Sequence, residues 1–132
     1  MQVTIHLPDP DVDINVDCPV RSILDFVGDK WTALVISHLA TGPLRFTQIK
    51  RNIKDISQRM LTVTLRGLER NGLVTRTVFP TIPATVEYAL TPLGESLLVP
   101  VQMLIGWAIQ NRSEIAAARK TYDEKEVPGG KG

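Results

Sequence analysis

From residue 18 onward the chain alternates short apolar stripes with abrupt polar breaks, and the spacing predicts a run of helices with one hairpin among them. Ile23, Leu24, Phe26 and Val27 give an apolar side to a first helix that opens at Cys18-Pro19 and stops at Gly28. Asp29 is placed to cap a second helix from Lys30 to Ala40, with Trp31, Leu34, Val35 and Leu39 inward, and Thr41-Gly42-Pro43 breaks it. Leu44-Arg45-Phe46 reads as a short extended link. Thr47 begins a third helix through Ile53, and Lys54-Asp55-Ile56 is a tight turn. Ser57 is a good N-cap for a fourth helix to Asn71, and Gly72, the residue most tolerant of left-handed backbone, ends it. Two short helices joined by such a turn form a helix-turn-helix pattern.

The period then changes. Leu73 to Phe79 and Val86 to Leu90 alternate and are rich in β-branched residues, and Pro80-Thr81-Ile82-Pro83-Ala84-Thr85 joins them as a stiff hairpin tip. Thr91-Pro92 opens a long helix to about Arg119 that Pro100 is expected to kink or split. Leu97, Val101, Leu104, Ala108 and Ile115 form a heptad-like seam on it, readable as monomer core or as a surface for a second subunit. A small domain has no obvious inner surface left for so long a helix, which favours a dimer. Asp11 to Asp17 alternates as a short strand or extended arm. The resulting division is an N-terminal arm at 1–17, a folded domain at 18–119 and a disordered tail at 120–132.

On a helical wheel Leu61, Leu65 and Leu68 fall on one side of the fourth helix, and Arg59, Thr62, Val63, Arg66 and Arg70 on the other. A face with three arginines suits a DNA major groove. Arginine can read guanine bidentately, threonine can bond bases or phosphate, and valine can touch a thymine methyl. Gln58 sits in the first turn, where recognition helices reach base edges. Arg45 and Arg76, flanking this unit, are candidates for further DNA contact.

Net charge is only +1 over the 132 residues, but its distribution supports that assignment. Residues 1–29 carry six acids against one base, whereas residues 45–76 carry eight bases against two acids, a local net of +6. The apolar fraction of 43% and charged fraction of 22% are ordinary for a soluble domain. No apolar run is read as approaching the roughly 18 residues that span a bilayer, so no membrane partner is expected. The N-terminus shows no export leader, and the single cysteine fits a reducing compartment, so the expected place is the cytoplasm.

Taken together, certain stretches resemble the HxlR-type branch of winged helix-turn-helix transcriptional regulators, close to the MarR group. They are Cys18-Pro19-Val20, Gly28-Asp29-Lys30-Trp31-Thr32, Leu44-Arg45-Phe46 and Ile56 to Thr62. Leu65 to Glu69, Asn71 to Arg76, Pro83, Val86-Glu87-Tyr88, Leu90 to Gly94 and Trp107 continue the match in order, over about residues 18 to 112. The resemblance implies a mainly α fold with a small β-hairpin wing. It also implies a homodimer built from the first and last helices, and a repressor or activator that binds palindromic operators on double-stranded DNA. Thr85 is a departure, because members often carry a basic residue just before the Val-Glu-Tyr triplet.

Cys18 has two readings. A helix N-terminus favours thiolate, and some relatives of this kind use a cysteine here to sense oxidants or electrophiles; against this, Asp13 and Asp17 oppose a low pKa, and a packed, inert thiol in the dimer interface is the reading that leads. His6 and His38 lie far apart with no acids at ligand spacing, so no metal site and no cofactor is expected. Trp31, Phe46 and Trp107 read as core. No phosphate loop, nucleophile elbow or carboxylate pair occurs, which argues against an enzyme. A winged-helix module that binds only protein is the competing class, and it would have no need of the basic face at Arg59, Arg66 and Arg70.

Overall fold

The computed structural model describes residues 18–126. The arm at 1–17, with its possible strand, and residues 127–132 lie outside the described residues. Helix α1 spans Cys18–Val27 and α2 spans Lys30–His38, where the Asp29 carboxylate accepts the Trp31 N–H at 2.8 Å as an N-cap. A single 3-10 turn at Leu39–Thr41 finishes α2 before Gly42, whose φ of 137° few other residues would adopt.

Leu44–Arg45 is not merely an extended link. It is a strand, β1, that pairs antiparallel with β3 (Thr85–Leu90), which pairs in turn with β2 (Val74–Phe79), so the sheet order is β1-β3-β2. Between them run α3 (Phe46–Asn52) and α4 (Gln58–Arg70). The α3–α4 turn passes through Asp55 at φ 75°, a left-handed conformation that aspartate tolerates better than most side chains. Gly72 takes φ 74° after α4, as expected of the residue that ends it.

The core is where these elements converge. Val35 and Ile36 of α2, Ile49 of α3 and Leu61, Leu65 and Leu68 of α4 are all at most 1% exposed, and Leu73, Val74 and Tyr88 close it from the sheet side. Each such side chain contributes roughly 1.5–3 kcal/mol by leaving water. Two glycines allow the close approaches. A Cβ on Gly67 of α4 would lie 2.5 Å from the Phe26 ring, and one on Gly94 would overlap the Leu73 carbonyl oxygen. α1 therefore packs directly on α4, and the next helix packs directly on the end of the α4–β2 turn.

That next helix, α5, spans Pro92–Gln110 and is N-capped by the Thr91 hydroxyl, which accepts the Gly94 N–H at 3.0 Å. It passes through Pro100 without a break; the interruption comes at Asn111, and α6 follows as Arg112–Glu126. Proline removes one ladder bond. At Asn111, by contrast, the side-chain amide donates to the Trp107 carbonyl at 2.9 Å and competes with the backbone for it. The helical part then continues past Arg119 to Glu126, through Ala116, Ala117 and Ala118, which favour helix strongly. α5 is also more apolar than the sequence reading allowed. By length and composition alone it could cross a membrane, with a mean hydropathy of 1.3. Its capped first turn and buried Val101 nevertheless tie it to the domain.

Candidate nucleic-acid interface

α4 is placed by its apolar stripe, and this placement determines what it shows to solvent. Leu61, Leu65 and Leu68 are buried together with Thr64, and Arg59, Val63, Arg66 and Arg70 emerge on the opposite, exposed side. Among the described residues these three arginines make no ion pair or side-chain hydrogen bond. Their guanidinium groups are thus available to an outside acceptor. Ser57 accepts the Met60 N–H at 3.0 Å, so one of the first-turn donors is satisfied and Gln58, the first helical residue, stands exposed at the leading end.

Thr62 is partly buried, and its hydroxyl donates back to the Gln58 carbonyl at 2.9 Å. It has acceptor capacity left for a partner, but its proton is engaged. Val63, though 54% exposed, lies on the α1 side of the face and borders a cleft with Phe26.

The two flanking arginines are not brought together. Arg45 sits opposite Glu87, which itself faces Thr77, whereas Arg76 sits opposite Tyr88, which faces Leu44. Directly paired residues share a sheet face, so Arg45 and Arg76 project from opposite faces of the sheet, one on each edge strand. Arg45 has an acid as its cross-strand neighbour. Arg76 does not.

Lys50 and Arg51 of α3 were legible only as part of the basic block. With Phe46, Thr47 and Gln58 they line an open cleft of about 460 Å³ beside the start of α4. Cations around a capped helix start suit a phosphate group, because the exposed N–H groups and the helix dipole favour an anion there. Their i, i+1 position on a short helix with no resolved period hid them in the sequence. The wing tip carries no charge: Ile82 is fully exposed, and the Thr81 hydroxyl donates to the Pro83 carbonyl at 2.8 Å and lies 3.4 Å from that of Thr85. Among the described residues there is no cluster of metal-ligating side chains. The side chain of Cys18 lies outside the described residues, so its thiol has no assigned surroundings.

Comparison with known proteins bears directly on this arrangement. The family model described as HxlR-like helix-turn-helix matches residues 26–116. The chain is 38% identical over 110 residues to YdeP of Bacillus subtilis, named as an HTH-type transcriptional regulator, covering 81% of this chain and 86% of that protein. Among solved structures, the ytfH protein of Salmonella typhimurium superposes with a TM-score of 0.75 at 36% identity, over 78% of this chain and 92% of that one. The redox regulator HypR in its reduced form gives a TM-score of 0.69 at 38% identity, over 75% and 98% of the two chains.

Proposed function

The chain belongs to the HxlR-like helix-turn-helix family, and as a DNA-binding transcriptional regulator of that family we propose that it reads inverted-repeat operators as a homodimer, with α4 in the major groove. The observation that carries the reading is the disposition of α4: a stripe of leucines buried against α2 and β2, and three arginines on the reverse side that are unpaired among the described residues. In this reading Arg59, Arg66, Gln58 and Thr62 meet base edges, with Val63 at the margin of the groove. Arg70, Lys50 and Arg51 seat phosphates, and Arg76 reaches the backbone from the wing. Arg45, beside Glu87, contributes least. The uncharged tip leaves the wing a positioning role rather than a base-reading one.

The dimer is supported by what α5 leaves uncovered. Met103, Leu104 and Trp107 are each more than half exposed, and so is Leu24 on α1. Trp107 is therefore not core among the described residues, where no other element packs on the distal half of α5. Covering α1 and α5 by a second copy removes this surface from water and sets the two α4 helices on a two-fold axis. Family membership points to regulation and to no enzymatic step, and a cytoplasmic setting is the one in which such a regulator meets its DNA. Relatives that are redox regulators support an oxidant signal entering at Cys18, the first residue of α1. Loss of operator binding by the oxidised wild type but not by Cys18→Ser is its expected signature.

The test of the central claim is selection of bound sequences from random DNA by the purified protein. The expected result is an inverted repeat with half-sites about one helical turn, roughly 34–36 Å, apart. Recovery of no enriched sequence would favour the protein-binding module instead.

A further inference from the structure

Threonine and serine inside helices ordinarily return their hydroxyl proton to the carbonyl one turn back. Ser37 does so to Ala33 at 2.9 Å and Thr62 to Gln58 at 2.9 Å. Two others do not. Thr32 of α2 is 1% exposed and Thr64 of α4 is 4% exposed, and among the described residues neither hydroxyl has a hydrogen-bond partner. Buried polar groups are almost always satisfied, so an orphan calls for a partner the chain itself does not supply. Both orphans line the same cleft, about 360 Å³ in volume, between α1, α2 and α4. That is within the size range of small-molecule sites.

The rest of the lining limits what could enter. Phe26, Met60 and Val63 give apolar walls, Ser22 adds a hydroxyl, and Asp25 and Asp29 bring two carboxylates; no lysine, arginine or histidine is present. Lys30, next to Asp29, is drawn over the Trp31 ring, 4.4 Å from its centroid. An anion would meet two carboxylates and no basic side chain in the lining. A cation with an apolar body would meet both, and its N–H groups can donate to hydroxyl oxygens and carboxylates alike.

We propose that this cleft binds a small organic ammonium with an apolar or aromatic body, and that its occupancy weakens DNA binding. The regulatory half rests on the operator reading above. Phe26 is the link. Its ring is pressed on Gly67 so closely that even a methyl group there would collide, so a ligand that moves Phe26 moves the contact between α1 and the recognition helix. Only a difference in affinity between two placements of α1 against α4 can do this.

The full chain, titrated with benzylammonium, benzoate or benzyl alcohol and followed by amide NMR, separates the possibilities. Benzylammonium is expected to give saturable shifts at Phe26, Thr32 and Thr64 in the millimolar range, and benzoate none. Thr64→Val preserves shape and removes one orphan. It should weaken benzylammonium binding by about tenfold, as does loss of one charged hydrogen bond, while raising the thermal midpoint. Asp25→Asn, on an exposed residue, should weaken it without moving the midpoint. Equal binding of benzoate, absence of saturable shifts, or unaltered binding by Thr64→Val each overturns the site. An operator affinity unchanged under saturating benzylammonium overturns the regulatory half alone. Failure to select any operator sequence overturns the DNA reading and leaves the NMR result standing.

Discussion

α4 is an amphipathic helix and α5 a largely apolar one, yet among the described residues only α4 has its apolar stripe covered. The apolar stripe of α4 is covered by α2 and β2, with Leu61 and Leu68 fully buried, and its polar face is what remains outside. Along α5 only Gly94 and Val101 are buried, while Val99, Met103, Leu104, Trp107 and Ile109 are each more than half exposed. The difference lies in chain geometry. α4 sits mid-sequence, with elements on both sides to fold back over it. α5 leaves the domain beyond Val101, in its third turn, and among the described residues only α6, which is charged and exposed, follows it. A helix that completes its burial at home offers chemistry at its surface, and one that does not offers an interface.

The comparison is broken most directly by equal truncations on the two helices. Leu65→Ala, at 1% exposure, should cost about 2–5 kcal/mol of folding stability, read by denaturant unfolding. Leu104→Ala, at 61% exposure, should leave the stability of the dissociated chain within about 0.5 kcal/mol. Its effect belongs to assembly: the dimer should lose about 1.5–3 kcal/mol per copy, seen as a concentration-dependent shift toward monomer in sedimentation or light scattering. A wild type that is monomeric at micromolar concentration would refute the assignment of α5.

The exposed face of α4 is sharpened by Arg66→Ala. A loss of about 1–3 kcal/mol confined to one position of the operator marks a base contact, whereas a uniform loss with a smaller salt slope marks phosphate. Simultaneous replacement of Arg59, Arg66 and Arg70 should abolish operator binding with folding intact, because none of them enters the core. Normal binding by that variant would move the reading head elsewhere.

How much of this was legible follows the same division. The α4 stripe, its Ser57 cap and the Gly72 stop were readable because period, cap chemistry and backbone freedom agree on one helix. Thr64 was readable in principle too, as a polar side chain lying on the wheel among Leu61, Leu65 and Leu68. β1 was not, since a two-residue strand has no period and exists only through its register with Tyr88 and Glu87. Pro100 drew the expected helix break away from Asn111, where the competition is between one amide side chain and the backbone for the Trp107 carbonyl. Which heptad positions would be core was also hidden. Val101 is buried and Leu104 is not, and only the path of α5 off the domain decides between them.

The smallest expected effect tests the turn that aims α4. Asp55 holds φ at 75° between α3 and α4, where an ordinary L side chain is strained. Aspartate reduces that strain without abolishing it. Asp55→Gly removes it, but a glycine also gives the unfolded chain more freedom to lose, and the two effects oppose each other. The net should be a gain below about 1 kcal/mol, while Asp55→Ala, which keeps a Cβ and lacks the polar side chain that tolerates this region, should lose about 1 kcal/mol. The charge acts in a second way. Asp55 is one of only two acids in the basic block from 45 to 76, so either replacement makes the α4 surroundings more positive. Operator affinity at low salt should rise slightly in both variants, and the rise should vanish as salt screens it. If stability and DNA affinity both fell in Asp55→Gly, the carboxylate would be needed for something other than tolerating the turn. The aim of the recognition helix would then depend on that contact and not on backbone geometry alone.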